Sequence, residues 1–206
     1  MATESDNEKV KSAAIILAAG SSSRMGQSKQ LLKIKGESLI RRTIKTVIDS
    51  GVDQVVVILG SDQQTLHQEI VALPIQIIVN QNWKKGMGSS IKSGVQFVMD
   101  HFPSCQSILF TVCDQPLLPS GHLKKLIAAL QMGENSIVAS FYSGSPGIPV
   151  LFGRSMFKEL LNVNNAHGAK KVIHAHSKST YLIEFPQGAI DLDTPGDWEK
   201  FLKSHG

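Results

Sequence analysis

The run Ile15-Ile16-Leu17-Ala18-Ala19-Gly20-Ser21-Ser22-Ser23-Arg24-Met25-Gly26-Gln27-Ser28-Lys29 leads an apolar stretch into a Gly/Ser loop that carries two fixed cations. Backbone N–H groups of such a turn can converge on phosphate oxygens, Arg24 can clasp them with its planar fork, and Lys29 can set a point charge beside them. That is the chemistry of a triphosphate cradle. Spacing excludes two other glycine motifs. A P-loop needs G-x-x-x-x-G-K-[ST], yet five residues separate Gly20 from Gly26 and Lys29 stands three residues beyond. A dinucleotide fingerprint needs G-x-G-x-x-G, and after Gly86-Met87-Gly88 the third glycine's place is held by Ile91.

Carboxylates suited to the same chemistry lie far along the chain. Asp114 follows the apolar run Ser107-Ile108-Leu109-Phe110-Thr111-Val112-Cys113, so a buried strand delivers it to a sheet edge. A hard oxygen ligand there suits Mg²⁺, which takes one or two carboxylates plus phosphate oxygens; a helix cap or turn residue is the alternative from spacing alone. Asp191 and Asp193 alternate and share one face of an extended segment, although Asp193-Thr194-Pro195 equally reads as a helix start. Gly86-Met87-Gly88-Ser89-Ser90 opens a helix whose free N–H groups and dipole make an anion site, or is a plain turn before an amphipathic helix. His174 and His176, two apart in a helical stretch, face different ways, and His67, His101 and His122 read as ordinary surface histidines.

These residues need a scaffold, and the chain supplies an alternating one. Ala13–Ala19, Gln54–Leu59, Ile75–Val79 and Ile108–Val112 are short β-branched runs of the kind buried in a parallel sheet. Between them Ser38–Ser50, Asp62–Leu73 and Ser89–Asp100 have helical spacing, with Ser38, Asp62 and Ser89 available as caps. The order implies an α/β, Rossmann-like, doubly wound sheet in one domain over residues 13–206, after a disordered tail at 1–12. In the second half, strands are expected at Ser136–Phe141, Ile148–Phe152 and Tyr181–Glu184, with Ile148–Phe152 returning antiparallel. Helices at Arg154–Leu161, at Gly168–His176 and from Pro195 complete it. Ligands of such sheets bind beyond the carboxyl ends of the strands, so the Gly20–Lys29 loop and Asp114 should face one crevice.

The motifs resemble the L-A-A-G-x-S-x-R-M-G-x-x-K signature of the MobA-like NTP transferase family, and within it the molybdenum cofactor cytidylyltransferases. The resemblance continues through Asn80 with Gly86-Met87-Gly88-Ser89-Ser90-Ile91, Cys113-Asp114-Gln115-Pro116-Leu117, Pro149-Val150-Leu151-Phe152 and Asp191-Leu192-Asp193-Thr194-Pro195. It covers nearly the whole chain after the first dozen residues. It implies a nucleotide-diphospho-sugar transferase-like fold, with a nucleotide half at about 13–118 and an acceptor half at about 119–206. It also implies nucleotide contacts from Leu17, Ala18, Ala19, Gly20, Ser22, Arg24, Lys29, Asn80, Gly88 and Ser89, catalytic roles for Arg24, Lys29 and Asp114, and Mg²⁺ on Asp114 and Asp193.

The implied reaction moves CMP from CTP to the terminal phosphate of molybdenum-bearing molybdopterin and releases pyrophosphate, with a molybdoenzyme as eventual recipient. A phosphate monoester has its second pKa near about 6, so this nucleophile is largely ionised at neutral pH without a strong base. The guanylyl branch typically has L-A-G-G where Leu17-Ala18-Ala19-Gly20 stands, and an extra methyl at Ala19 can crowd a purine, which favours CTP with guanylyl transfer as an alternative. Sugar-phosphate nucleotidyltransferases also carry L-A-A-G, so that reaction stays open, as does a non-catalytic cofactor-binding chaperone for a molybdoenzyme. Two departures fall in the acceptor half: Gly147-Ile148-Pro149 replaces G-H-P, and Asn165-Ala166-His167-Gly168-Ala169-Lys170 replaces G-D-x-G-A-R.

Bulk properties exclude other classes. A net charge of +4 spread over scattered pairs such as Lys84-Lys85 and Lys170-Lys171 is too mild for a nucleic-acid coat. Two cysteines without C-x-x-C or metal-finger spacing, a polar acidic start and no long apolar run fit a cytoplasmic protein with no membrane partner.

Overall fold

The computed structural model describes residues 11–133, 135–165 and 168–205. The expected tail lies outside the described residues as far as residue 10, and so does the departure at Ala166. Ser12 belongs to the first strand, because the Asp53 carboxylate accepts from the N–H groups of Lys11 and Ser12 at 2.9 and 2.8 Å.

A seven-stranded sheet forms the centre. Strands β1 (Ser12–Ala18), β4 (Gln54–Leu59), β5 (Gln76–Val79) and β6 (Ser107–Val112) are mutually parallel, and β7 (Ile137–Tyr142), β8 (Ser145–Gly153) and β9 (Thr180–Glu184) extend it in the order β5-β4-β1-β6-β8-β7-β9. As expected, β8 runs antiparallel to β6 and β7. Chain order reverses around β1, which lies between β4 and β6, so the switch point falls at the carboxyl end of β1.

Period-two alternation in β1 sorts its side chains between two layers. Ala13, Ile15 and Leu17 pack with helices α3 (Met87–His101), α5 (Phe157–Leu161) and α6 (Lys170–Ala175). Ala14, Ile16 and Ala18 pack on the other face with α1 (Leu39–Ile48), α2 (Gln63–Ile70) and α4 (Ser120–Met132). Helix α1 is capped as expected by Ser38 Oγ, which accepts from Arg41 N–H at 3.4 Å. Asp62 caps nothing: its φ of 52° is left-handed and its side chain makes no cap bond. Ser89 lies inside α3, which starts two residues earlier. Among the described residues no helix is long and apolar enough to cross a membrane.

A third, smaller cluster positions the loop after β1. Met25, Leu32, Ile34 and Leu39 pack with Leu192 and with Phe201 of the closing helix α7 (Pro195–His205). The short hairpin β2 (Lys33–Ile34) and β3 (Glu37–Ser38) joins this cluster, turning through positive φ at Lys35 and Gly36. The C-terminal segment is thereby pressed against the cation loop.

Candidate active site

The loop leaving β1 is rich in unspent donors. Among the described residues, the N–H groups of Gly20, Ser21, Ser22, Ser23 and Arg24 donate to no protein acceptor. A Cβ placed on Gly20 would meet nothing within 4 Å, so the cradle is open on that side. Ser22 takes a left-handed φ of 50°, and its carbonyl accepts from Met25 N–H at 2.9 Å. The hydroxyl of Ser22 faces inward, to Gln30 Oε1 and to the N–H of Lys29.

The cations and carboxylates then meet. Lys29 Nζ is hydrogen-bonded to Asp114 Oδ2 and, at 3.0 Å, to Asp193 Oδ1. Arg24 Nη2 donates to the other oxygen of Asp193 at 2.8 Å. The backbone holds this convergence in place, because the N–H of Leu192, a fully buried residue, donates to Asp114 O at 3.1 Å. Burial opposes charge on Lys29, but Asp114 and then Asp193 outweigh it and raise its pKa. For Asp193 burial is likewise overcome, and Lys29 and Arg24 hold the carboxyl below its usual range. Among the described residues Asp191 forms no ion pair. Partial burial, then the charges of Asp114 and Asp193, push its carboxyl up to about 6.

Two cavities share this centre. One, of about 340 Å³, is walled by Leu17, Ala19, Gly20, Lys29, Trp83 and Met87, and the other, of about 300 Å³, by Gln115, Tyr142, Ile148, Lys170, Ile173 and Asp191. Met87, Val112 and Asp114 line both. Space for two reactants thus meets at one carboxylate. Two aspartates converging on one cation are also the hard-oxygen set that a small divalent ion takes, leaving its other positions to phosphate and water. The residues present fit such an ion, in a two-carboxylate arrangement; the described residues contain no group of three or more His, Cys, Asp or Glu that would hold a metal.

Other expected contacts are redirected. Asn80 is buried, with Nδ2 donating to Ser89 Oγ and Ser90 Oγ at 2.8 and 3.0 Å and Oδ1 accepting from Asn82 N–H at 2.9 Å. Its side chain braces the start of α3, with both amide hydrogens committed. The N–H groups of Gly88 and Ser89 are also spent, on Asn165 O at 2.9 Å and Gly86 O at 3.0 Å. A Cβ on Gly88 would overlap Asn164 O, so close passage of the 164–165 loop explains this glycine. The expected anion site at the start of α3 is therefore largely closed. His122 is buried rather than exposed: Nε2 lies 2.8 Å from Ser140 Oγ and the ring stacks on Phe185.

The sequence alone assigned no site role to Trp83, Lys84, Gln30, Gln115 and Tyr142, which line the two cavities. Trp83 packs so closely over Gly60 that a Cβ there would lie 2.7 Å from its Cβ and Cγ. Gln115 Nε2 donates to Ile148 O at 3.0 Å and Gly188 O at 3.1 Å, with Tyr142 Oη 3.2 Å away, and so ties β6 to the wall of the second cavity. An aromatic or amide beside a motif was the available signal, but its meaning depends on where the backbone turns.

A mainly parallel sheet with a donor-lined cation loop at its switch point, faced by Asp114 at the junction of two cavities and by Asp193 on the same ammonium, defines an α/β protein of the nucleotidyltransferase class. Residues 14–180 match the MobA-like NTP transferase domain, and the chain belongs to that family. It is 29% identical over 195 residues to the purine catabolism protein PucB of Bacillus subtilis (strain 168), spanning 90% of this chain and 93% of that one. To the molybdenum cofactor cytidylyltransferase of Escherichia coli (strain K12) it is 24% identical over 185 residues, 89% and 92% of the two chains. Rv0371c from Mycobacterium tuberculosis H37Rv shares the fold, with a TM-score of 0.81 at 23% identity over 95% of this chain and 99% of that one. A complex of Rv0371c with manganese gives a TM-score of 0.78 at 22% identity over 94% and 99%.

Proposed function

We propose that this protein transfers CMP from CTP to the terminal phosphate of molybdenum-bearing molybdopterin, releasing pyrophosphate. One observation carries the reading: the Lys29 ammonium, on the wall of the first cavity, joins Asp193 to Asp114, the carboxylate that lines both cavities, at the foot of a loop with five free N–H groups. An ionised phosphate oxygen of the acceptor attacks the α-phosphorus of CTP, a new P–O–P bond forms, the Pα–O–Pβ bond breaks, and pyrophosphate leaves with the bonding pair. No nucleophilic side chain or strong base takes part. The work left to the chain is to hold two anions together and neutralise the charge that builds up, which suits Lys29, Arg24 and the loop amides. A divalent ion on Asp114 and Asp193, Mg²⁺ in this reading, would supply further charge neutralisation on the phosphates.

Several findings support the finer assignments. The manganese complex of the mycobacterial relative supports a divalent ion. Lys170 on the wall of the second cavity supports an acceptor that carries phosphate, and the E. coli relative supports molybdopterin as that acceptor. Ala19, buried at the first cavity, supports the smaller base.

Incubation with each nucleoside triphosphate, Mg²⁺ and molybdenum-loaded molybdopterin, with products identified by mass, tests the reading. Molybdopterin cytosine dinucleotide and pyrophosphate are expected, and Ala19→Gly should shift competition between CTP and GTP toward GTP by roughly tenfold or more, the leverage of one methyl. Equal or preferred use of GTP by the wild type would remove the cytidylyl assignment. Nucleotide binding without pyrophosphate release would make this a cofactor-holding protein.

A further inference from the structure

Gln30 belongs to none of the motifs that carry the family resemblance, yet its side chain is the hub of the loop after β1. The residue is 2% exposed. Its Nε2 donates to the carbonyl oxygens of Ala18 and Gly20 at 3.3 and 3.2 Å, and its Oε1 accepts from Ser22 Oγ and Ser28 Oγ at 3.2 and 3.0 Å. A primary amide has two hydrogens and two lone pairs, so the set is complete. Turned the other way, the amide oxygen would confront two carbonyls, so the network admits one orientation. Ser22 Oγ in turn accepts from Lys29 N–H at 3.2 Å, which links Gln30 to the backbone of the central cation.

The consequence is a sorting of polarity. Ala18 O and Gly20 O are occupied by Gln30, and Ala19 O by Ser61 N–H at 3.1 Å. The carbonyls of Ala18, Ala19, Gly20 and Ser22 are thus committed to the protein, while among the described residues the N–H groups of residues 20 to 24 have no protein acceptor. An anion needs that arrangement. A Gly/Ser loop does not hold it unaided, because ordering each residue costs about 1–2 kcal/mol in backbone entropy.

We infer that Gln30 is a positioning residue for the triphosphate cradle: its amide holds the Gly20–Lys29 loop with its donors free and Lys29 beside Asp114 and Asp193, and thereby sets nucleotide affinity and turnover. This rests on the proposed reading of the loop, so the test has one arm without nucleotide and one with it.

Gln30→Met keeps the length and apolar stem of the side chain but removes all four bonds. In the unliganded protein, amide hydrogen exchange at Met25 and Lys29, both hydrogen-bonded to Ser22, should quicken at least tenfold while Ile15 and Ile16 of β1 are unchanged. Affinity for a non-hydrolysable CTP analogue, measured by calorimetry with Mg²⁺, should fall tenfold or more, and kcat for pyrophosphate release should fall with it. In a double-mutant cycle with Lys29→Ala the combined loss should be smaller than the product of the single losses, since both changes act on one ammonium. Ser28→Ala, which removes one bond and leaves the buried amide, should show a twofold to fivefold version of the same effects and serves if Gln30→Met does not fold.

Unchanged exchange at Met25 and Lys29 would overturn the inference. So would faster exchange with unaltered CTP affinity, or losses that simply multiply with those of Lys29→Ala. A wild type that binds no nucleoside triphosphate, with the exchange result intact, would overturn the nucleotidyl-transfer reading while supporting the loop-holding role of Gln30.

Discussion

Lys29 and Arg24 both reach Asp193, but their surroundings differ. The Lys29 side chain is 18% exposed and wedged between two carboxylates, whereas that of Arg24 is 70% exposed and touches only the outer oxygen. Fixed charge acts most strongly where water is excluded, so the two cations should be unequal. We expect Lys29→Ala to lower kcat by about 10²–10³, the range found for loss of one preorganised donor, and Arg24→Ala to lower it by about tenfold. Steady-state kinetics with CTP varied would check this, and equal losses would mean that exposure does not rank them. At Asp114 the expectation is sharper. Asp114→Asn keeps shape and removes charge, so transfer should fall at least about 10³-fold while the circular dichroism spectrum and Tm stay near wild type. Near-normal turnover by the folded variant would discard Asp114 as a metal ligand. These four charged groups were legible in the sequence because a charge delivered by an apolar strand or a Gly/Ser loop has few other uses. Gln30 was not, since an amide gains its meaning only from the four groups that surround it.

Among the elements, β1, β4 and β6 were readable because strands of six or seven residues that are mostly Val, Ile, Leu, Phe and Ala suit a sheet covered on both faces. The β2–β3 hairpin escaped, as its two-residue strands hold no period and only Gly36 hints at the turn. Helix α4 shows a subtler loss. His122 lies four residues before Leu126 and beside Leu123, on the stripe that faces β7 and Phe185, so its burial was encoded by spacing although its residue type suggested surface. Ser140 Oγ donates to Pro149 O at 2.7 Å, so His122 must bring the proton to Ser140 from Nε2. Burial, then Lys125, lowers the His122 pKa from 6.5 to about 4. A depressed histidine favours the neutral form when folded, so the unfolded chain binds the extra proton between those values. The stabilisation is full above pH 6.5 and disappears as pH falls toward 4. Urea unfolding from pH 7 to 4 should show wild type losing roughly 2–3 kcal/mol more than His122→Asn over that window. Parallel curves would show that His122 does not titrate in this way.

In the molecule as a whole, stability and chemistry occupy different places. Two apolar clusters cover opposite faces of the sheet and a third clamps the cation loop to α7, while Asp114 and Asp193 lie outside all three. Lys29 already bridges those two carboxylates, so folding does not depend on a further cation to relieve their repulsion. Chelation should therefore stop turnover but move Tm by less than about 2 °C, unlike a structural metal whose binding energy is folding energy. Removing the bridge reverses the situation. In Lys29→Ala the two carboxylates face each other without the ammonium, so an added divalent ion relieves more repulsion in the folded state than it does in wild type. Ligand that binds only the native state stabilises by RT ln(1 + [L]/Kd), and the tighter site gains more at a fixed concentration. Thermal melts with Mg²⁺ or Mn²⁺ titrated into both proteins should then show a larger rise in Tm for Lys29→Ala. An equal response, or a large fall of wild-type Tm on chelation, would show that the ion does not bind at the carboxylates that Lys29 now joins.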